Sequence, residues 1–158
     1  MWTISGRGIK RFSKGLTFVV RLTRRYPFSA SHRLHTDALS KEENARLFGK
    51  CNYPFGHGHN YVLEVSVAGE PDAVSGMVMR RDTLDDFVGR TALGRIDHTY
   101  LNQDVEEFRQ TVATTENLSL VVHRWLAAAW DAEFGDTRAK LDRIRIEETA
   151  RNSFEVTS

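Results

Sequence analysis

The stretch HNYVLEVSVAGE, residues 59–70, alternates between apolar and polar positions. Tyr61, Leu63, Val65 and Val67 project to one side, and Val62, Glu64 and Ser66 to the other. That period of two marks a half-buried strand. Upstream, LTFVVRLTRR, residues 16–25, is rich in β-branched and aromatic residues and reads as an earlier strand that continues irregularly past Pro27. Beyond the turn that Gly76 ends, Leu84, Phe87, Val88 and Leu93 recur at helical spacing. A longer helix starts near Thr115, with Glu116 in its first turn, where the dipole favours an acid. Its stripe is Leu118, Val121, Val122, Trp125, Leu126 and Ala129, and it ends near Phe134 and Gly135. Two short strands, about 141–148 and 152–157, flank a polar turn. The chain order β-β-α-α-β-β, with hairpin-length links between paired strands, predicts an α+β fold. Its frame would be a four-stranded antiparallel sheet with two helices on one face. Such a sheet leaves unpaired edges, which association with other chains would protect.

Composition narrows the class without changing that picture. A chain of 158 residues is the size of one domain and can bury a real core. The formal net charge of +1 gives no strong pull towards nucleic acid or an acidic membrane. One cysteine excludes an internal disulfide and suits a reducing, cytoplasmic setting. The charge is uneven, because Arg7, Lys10, Arg11, Lys14, Arg21, Arg24 and Arg25 precede the first acid, Asp37. Residues 1–15 therefore read as a basic, solvated tail, and residues 16–158 as a single domain. The apolar run from Leu16 to Val20 is too short for a secretory signal, and no stretch is long enough to span a membrane.

Candidate chemistry centres on CNYPFGHGHNY, residues 51–61. His57 and His59, two apart in an extended segment, face the same way with Cα atoms about 6.6 Å apart, so their imidazoles can meet at one metal ion. Gly56 and Gly58 keep bulk away from them. A hairpin would bring His32 beside the pair. Three neutral imidazoles with one open position suit a catalytic zinc ion, whereas Cys51 as a fourth ligand would make a closed, structural site. His35, three residues on from His32, would point away to the surface, and His123 would be a partly exposed helix residue. Asp97 and His98 are adjacent and could orient a proton carrier or favour a thiolate. Glu116 could serve only as helix-capping chemistry, and Glu148 only as a solvated acid.

Taken together, six motifs carry a resemblance. FSASHRL, FGKCNYPFGHGHNY, GMVM, DHTYLN, TTENLS and RIRIEET occur in that order between about Thr17 and Val156. In order and spacing they resemble the 6-pyruvoyl-tetrahydropterin synthase family, which includes the 6-carboxytetrahydropterin synthases. The resemblance implies the tunnelling fold, in which three subunits join their sheets into a twelve-stranded barrel and two trimers can stack into a hexamer. It implies a zinc ion on His32, His57 and His59. It makes Cys51 the acid/base thiol, with Asp97 and His98 supplied across a subunit interface. Glu148 becomes the carboxylate that anchors a pterin, and Thr114, Thr115 and Glu116 line the same pocket. The substrate implied is 7,8-dihydroneopterin triphosphate. The product is 6-pyruvoyl-tetrahydropterin, favoured by the five residues between Cys51 and His57, or else 6-carboxytetrahydropterin on a deazaguanine route. A non-catalytic, zinc-stabilised module that holds pterins or RNA is the alternative from another class. The chain departs from the family at Arg80 and Arg81, where Asp or Asn is common, which leaves the handling of the triphosphate open.

Overall fold

The computed structural model describes residues 19–157; the basic stretch expected as a tail, residues 1–15, lies outside them. Strand β1 runs Val20–His32 and pairs antiparallel with β2, His57–Gly69. β2 pairs antiparallel with β4, Lys140–Thr149, and β4 with β5, Asn152–Thr157. These are the four strands that the alternation predicts. β1 stays regular to His32, contrary to the expected irregularity after Pro27. At Pro27 β1 has a ladder partner on one side only, so the missing N–H costs no ladder bond.

Two features correct the sequence reading. The sheet is five-stranded and mixed, in the order β3-β1-β2-β4-β5, because Thr99–Tyr100 adds a short strand β3 parallel to β1. Two residues are too few for a periodic signal. The helical content also exceeds two helices. Helix α1, Lys41–Phe48, precedes β2, and its one buried residue is the polar Asn44. No apolar stripe marks it, although Ser40 and Glu43 form a reciprocal capping box. The segment after Gly76 divides into α2, Arg81–Val88, a π turn over Gly89–Leu93 and the short α3, Gly94–Ile96. The short α4, Leu101–Asp104, follows β3, and α5 spans Thr115–Phe134.

Burial divides the sheet into two faces. Tyr26, Phe28, Tyr61, Leu63, Val65, Val67, Ile144 and Ile146 form one buried cluster with Leu84, Phe87 and Val88 of α2 and with Leu118, Val122 and Leu126 of α5. Burying each of those large side chains contributes roughly 1.5–3 kcal/mol. Several of the alternate positions are polar and paired. Glu64 meets both Arg25 and Arg145, Arg143 meets Glu155, and Thr23 meets Ser66. One face of the sheet is thus the core and the other a lattice of ion pairs. His32, His57 and His59 fall at the end of the core face, in phase with Tyr61 and Leu63.

Candidate active site

The β1–β2 register sets His32 opposite His57 and Ala30 opposite His59, which gathers the three imidazoles at one sheet end. Their ring centroids lie 4.6, 5.1 and 4.9 Å apart, and one nitrogen from each falls within 4.8 Å of the others. Gly56 enters β2 at φ +72, and a Cβ there would stand 2.8 Å from the His32 carbonyl oxygen. Only glycine fits this close approach without strain.

The donor set fits a metal ion. His32 is 2% exposed, and its Nδ1–H donates to the Ala113 carbonyl at 2.7 Å. That bond fixes the tautomer and leaves the Nε2 lone pair free, as metal-bound histidines require. His32 Nε2 and His57 Nε2 stand 3.2 Å apart, close to the roughly 3.3 Å edge of a tetrahedron with 2.0–2.1 Å zinc–nitrogen bonds. His59 Nε2 is buried with no hydrogen-bond partner among the described residues. Burial pushes the pKa of His32 and of His57 below the usual imidazole value, and neighbouring imidazoles add to the effect. Both are therefore held in the neutral form that binds metal.

Glu148 stands over this group. Its Oε1 accepts a 2.5 Å hydrogen bond from Thr115 Oγ1 and lies 4.0 Å from His32 Nε2 and 3.9 Å from His59 Nε2. Glu148 is in phase with Ile144 and Ile146 on β4, which brings it onto the core face. Thr115 is the first residue of α5, and Thr114 caps that helix, its hydroxyl accepting from the Asn117 N–H at 3.3 Å. Glu116, by contrast, is exposed on the first turn, and no hydrogen bond or ion pair among the described residues joins it to Glu148.

Cys51 is half-buried in the 3-10 turn Gly49–Asn52 just before β2. Its carbonyl accepts from the Leu34 N–H at 2.9 Å. Asn52 Nδ2 donates to the Leu34 carbonyl at 2.7 Å and to His35 Nδ1 at 2.9 Å. Far from pointing away to the surface, His35 is half-buried in this network, beside Arg33. Asn102 of α4 closes a two-bond clamp on Arg33, accepting from its N–H at 2.8 Å and donating to its carbonyl at 2.9 Å. Asn52, Asn102 and the Ala113 carbonyl carried no sequence signal as site residues, because each bond joins a side chain to a backbone group remote in sequence.

Asp97 and His98 lie elsewhere. Asp97 Oδ1 accepts from the Ser29 N–H at 2.9 Å and stands 3.0 Å from His98 Nδ1. His98 has φ +58, and its N–H donates to the Ser29 carbonyl at 2.6 Å. A left-handed histidine is uncommon, and these contacts with Ser29 hold it. His98 is exposed in a shallow hollow that Ser29, Ser31, Gly58 and Asn60 line together with His59 of the trio. Among the described residues, no hydrogen bond or ring contact links it to Cys51 or the histidine trio. Arg80, at the departure from the family pattern, forms a surface ion pair with Asp82.

An α+β sheet whose core face ends in three imidazoles that could hold a metal ion, with a half-buried carboxylate beside them, fits the class of metal-assisted enzymes. Comparison with known proteins gives the family. The model of the family described as 6-pyruvoyl tetrahydropterin synthase matches residues 21–158, and the chain belongs to that family. A 6-pyruvoyl tetrahydrobiopterin synthase of Poecilia reticulata is 44% identical over 132 residues, covering 83% of this chain and 85% of the relative. The solved structure of Caenorhabditis elegans 6-pyruvoyl tetrahydropterin synthase superposes with a TM-score of 0.80 at 39% identity, covering 89% of this chain and 96% of that one. A 6-carboxy-5,6,7,8-tetrahydropterin synthase of Rickettsia conorii is 32% identical over 95 residues, or 60% of each chain.

Proposed function

We propose that this chain is a lyase that converts 7,8-dihydroneopterin triphosphate to 6-pyruvoyl-tetrahydropterin with loss of triphosphate. The observation that carries the reading is the convergence of His32, His57 and His59 on the face that also presents Glu148. Relatives named for the pyruvoyl product align over most of the chain, and the relative named for the carboxy product over less of it. That supports the pyruvoyl outcome.

Each residue has a role that its surroundings suit. His32, His57 and His59 would hold zinc, which supplies Lewis-acid polarisation of the substrate's side-chain oxygens. Glu148, oriented by Thr115, accepts hydrogen bonds from the amino and ring N–H edge of the pterin and sets its orientation. Thr114 fixes the start of α5 and so the place of Thr115, while Glu116 lines the outer rim. Cys51 moves a proton between side-chain carbons, and triphosphate then leaves by elimination. The pterin ring is reduced as its own side chain is oxidised, so no nicotinamide is needed. Asp97 and His98, paired and with His98 exposed, act on the thiol of a neighbouring subunit. That arrangement needs an oligomer, a trimer or a dimer of trimers, in which the four long strands β1, β2, β4 and β5 of three chains would join into the twelve-stranded barrel. No described helix is long and apolar enough to cross a membrane, and the free thiol of Cys51 suits a cytoplasmic location.

Incubation with dihydroneopterin triphosphate, followed by mass spectrometry, tests the reading. The pyruvoyl product and free triphosphate are expected. The carboxy product with acetaldehyde would overturn the product assignment, and binding without turnover would leave a pterin-holding module.

A further inference from the structure

Among the described residues, His98 is the one residue other than glycine with a positive φ. Such a backbone persists only where its surroundings over-determine it. On one side Ser29 does so, through its bonds to Asp97 and His98. On the other side the pair is joined directly to α3, which follows the π turn over Gly89–Leu93. Turns of that kind recur inside helices at functional sites. Ile96 of α3 is fully buried and fixes the segment in depth. Arg95 supplies a second point. Its guanidinium lies over the ring of Trp125 on α5, with Cζ 3.7 Å from the ring centroid. Trp125 Nε1–H donates at 2.7 Å to Glu107 Oε1, in the 3-10 turn Glu106–Arg109. Arg95 Nη2 stands 4.0 Å from the same oxygen.

Cation, ring and carboxylate thus form a closed set drawn from three elements, in which each side chain meets the other two. A cation is attracted to the face of an aromatic ring, so the contact fixes a direction as well as a distance. A buried Ile96 alone would leave α3 free to turn about that anchor, and Arg95 on Trp125 removes the freedom. Among the described residues, none of the three has a hydrogen bond, ion pair or ring contact with the histidine trio, Cys51 or Glu148. Their influence on the chemistry can run only through the chain that leads from α3 to His98. We infer that Arg95 is a positioning residue for Asp97 and His98, because its contact with Trp125 and Glu107 sets the direction in which α3 presents that pair to the thiol of a neighbouring chain. Arg95 itself touches no reacting atom. The inference rests on the cross-chain reading above.

The test is complementation between co-expressed, zinc-loaded chains, using Arg95→Met, which keeps the apolar stem and removes the charge. Alone, Arg95→Met should lose roughly five- to thirty-fold in turnover of dihydroneopterin triphosphate. Placed on the Cys51→Ala background, it should leave calorimetric affinity for that compound within twofold of Cys51→Ala itself. Paired with Cys51→Ala chains, whose His98 is intact, Arg95→Met should give more activity than the two proteins give separately. Paired with His98→Ala chains it should give no more than their sum, since every site then draws on a lost or misplaced His98. A general weakening of the fold would not sort the two partners in this way. Turnover within twofold of the parent overturns the inference, as does weakened affinity or an equal response to both partners. If Cys51→Ala and His98→Ala chains themselves fail to complement, the cross-chain reading falls and takes this inference with it. If they complement and Arg95→Met with Cys51→Ala does not, only the role of Arg95 falls.

Discussion

Removing the Asn102 clamp should loosen the metal site from outside it. Asn102→Ala deletes both hydrogen bonds to the backbone of Arg33, the residue immediately after His32. Each is a neutral bond worth about 0.5–1.5 kcal/mol, so their joint loss is about 1–3 kcal/mol. Asn102 cannot touch the metal, because both ends of its amide are committed to Arg33. Its effect must travel through the end of β1, where His32 is also held by the Ala113 carbonyl. Outer groups that orient metal ligands typically cost 10- to 100-fold in affinity when removed, and about 1–3 kcal/mol spans that range. Competition against a fluorescent zinc chelator at neutral pH should therefore give zinc binding weaker by roughly tenfold or more. Thermal denaturation of the zinc-free protein should show a shift of only about 2–10 °C. A variant that loses thermal stability but binds zinc as tightly as the parent would refute the reasoning, since the clamp would then support the fold and not the ligand.

Two further outcomes follow from the separation of roles. Cys51→Ala should bind dihydroneopterin triphosphate nearly as well as the parent and lose on the order of 10²-fold or more in turnover, while Glu148→Gln should weaken binding first; calorimetry and steady-state rates on the two proteins distinguish them, and the reverse pattern would sink the assignment. Mixing inactive Cys51→Ala with inactive His98→Ala chains should restore part of the activity if His98 of one chain completes the site of another; mixed assemblies verified by native mass spectrometry yet wholly inactive would put both residues in one chain's site.

The parts of the fold that bury an apolar face were legible, since burial is what creates a periodic signal. β2 and α5 begin and end close to where their stripes do. α1 and β3 were not legible, because one is held by caps and a buried Asn44 and the other by two residues of parallel pairing. The Asn44 side chain takes over the work of an apolar face, donating to the Thr36 and Leu39 carbonyls and accepting from the Thr36 N–H. The site divides in the same way. The His57–Gly58–His59 spacing was readable because strand geometry alone puts both rings on one side. The misreading of His35 has a definite cause. An extended segment would turn it outward, but Asn52 and Arg33 fold the chain after His32 back onto the Cys51 turn.

The histidine trio and the hydrophobic core are made by one pattern. On β2 the same alternation that buries Leu63, Val65 and Val67 also aligns Tyr61, His59 and His57, and only the identity of the side chain changes along the face. This continuity has a chemical consequence. Imidazoles placed in phase with a core lose hydration, and lost hydration lowers the pKa of His32 and His57 against the opposing pull of Glu148, so their lone pairs are free for a metal ion. The ion-paired face could not have done this, because its alternate positions pair arginines with carboxylates. His98, just before the edge strand β3, remains exposed. On the proposed reading, a residue that reaches into another chain's site would need such an exposed surface, and the buried end of the core face would be left to hold the substrate.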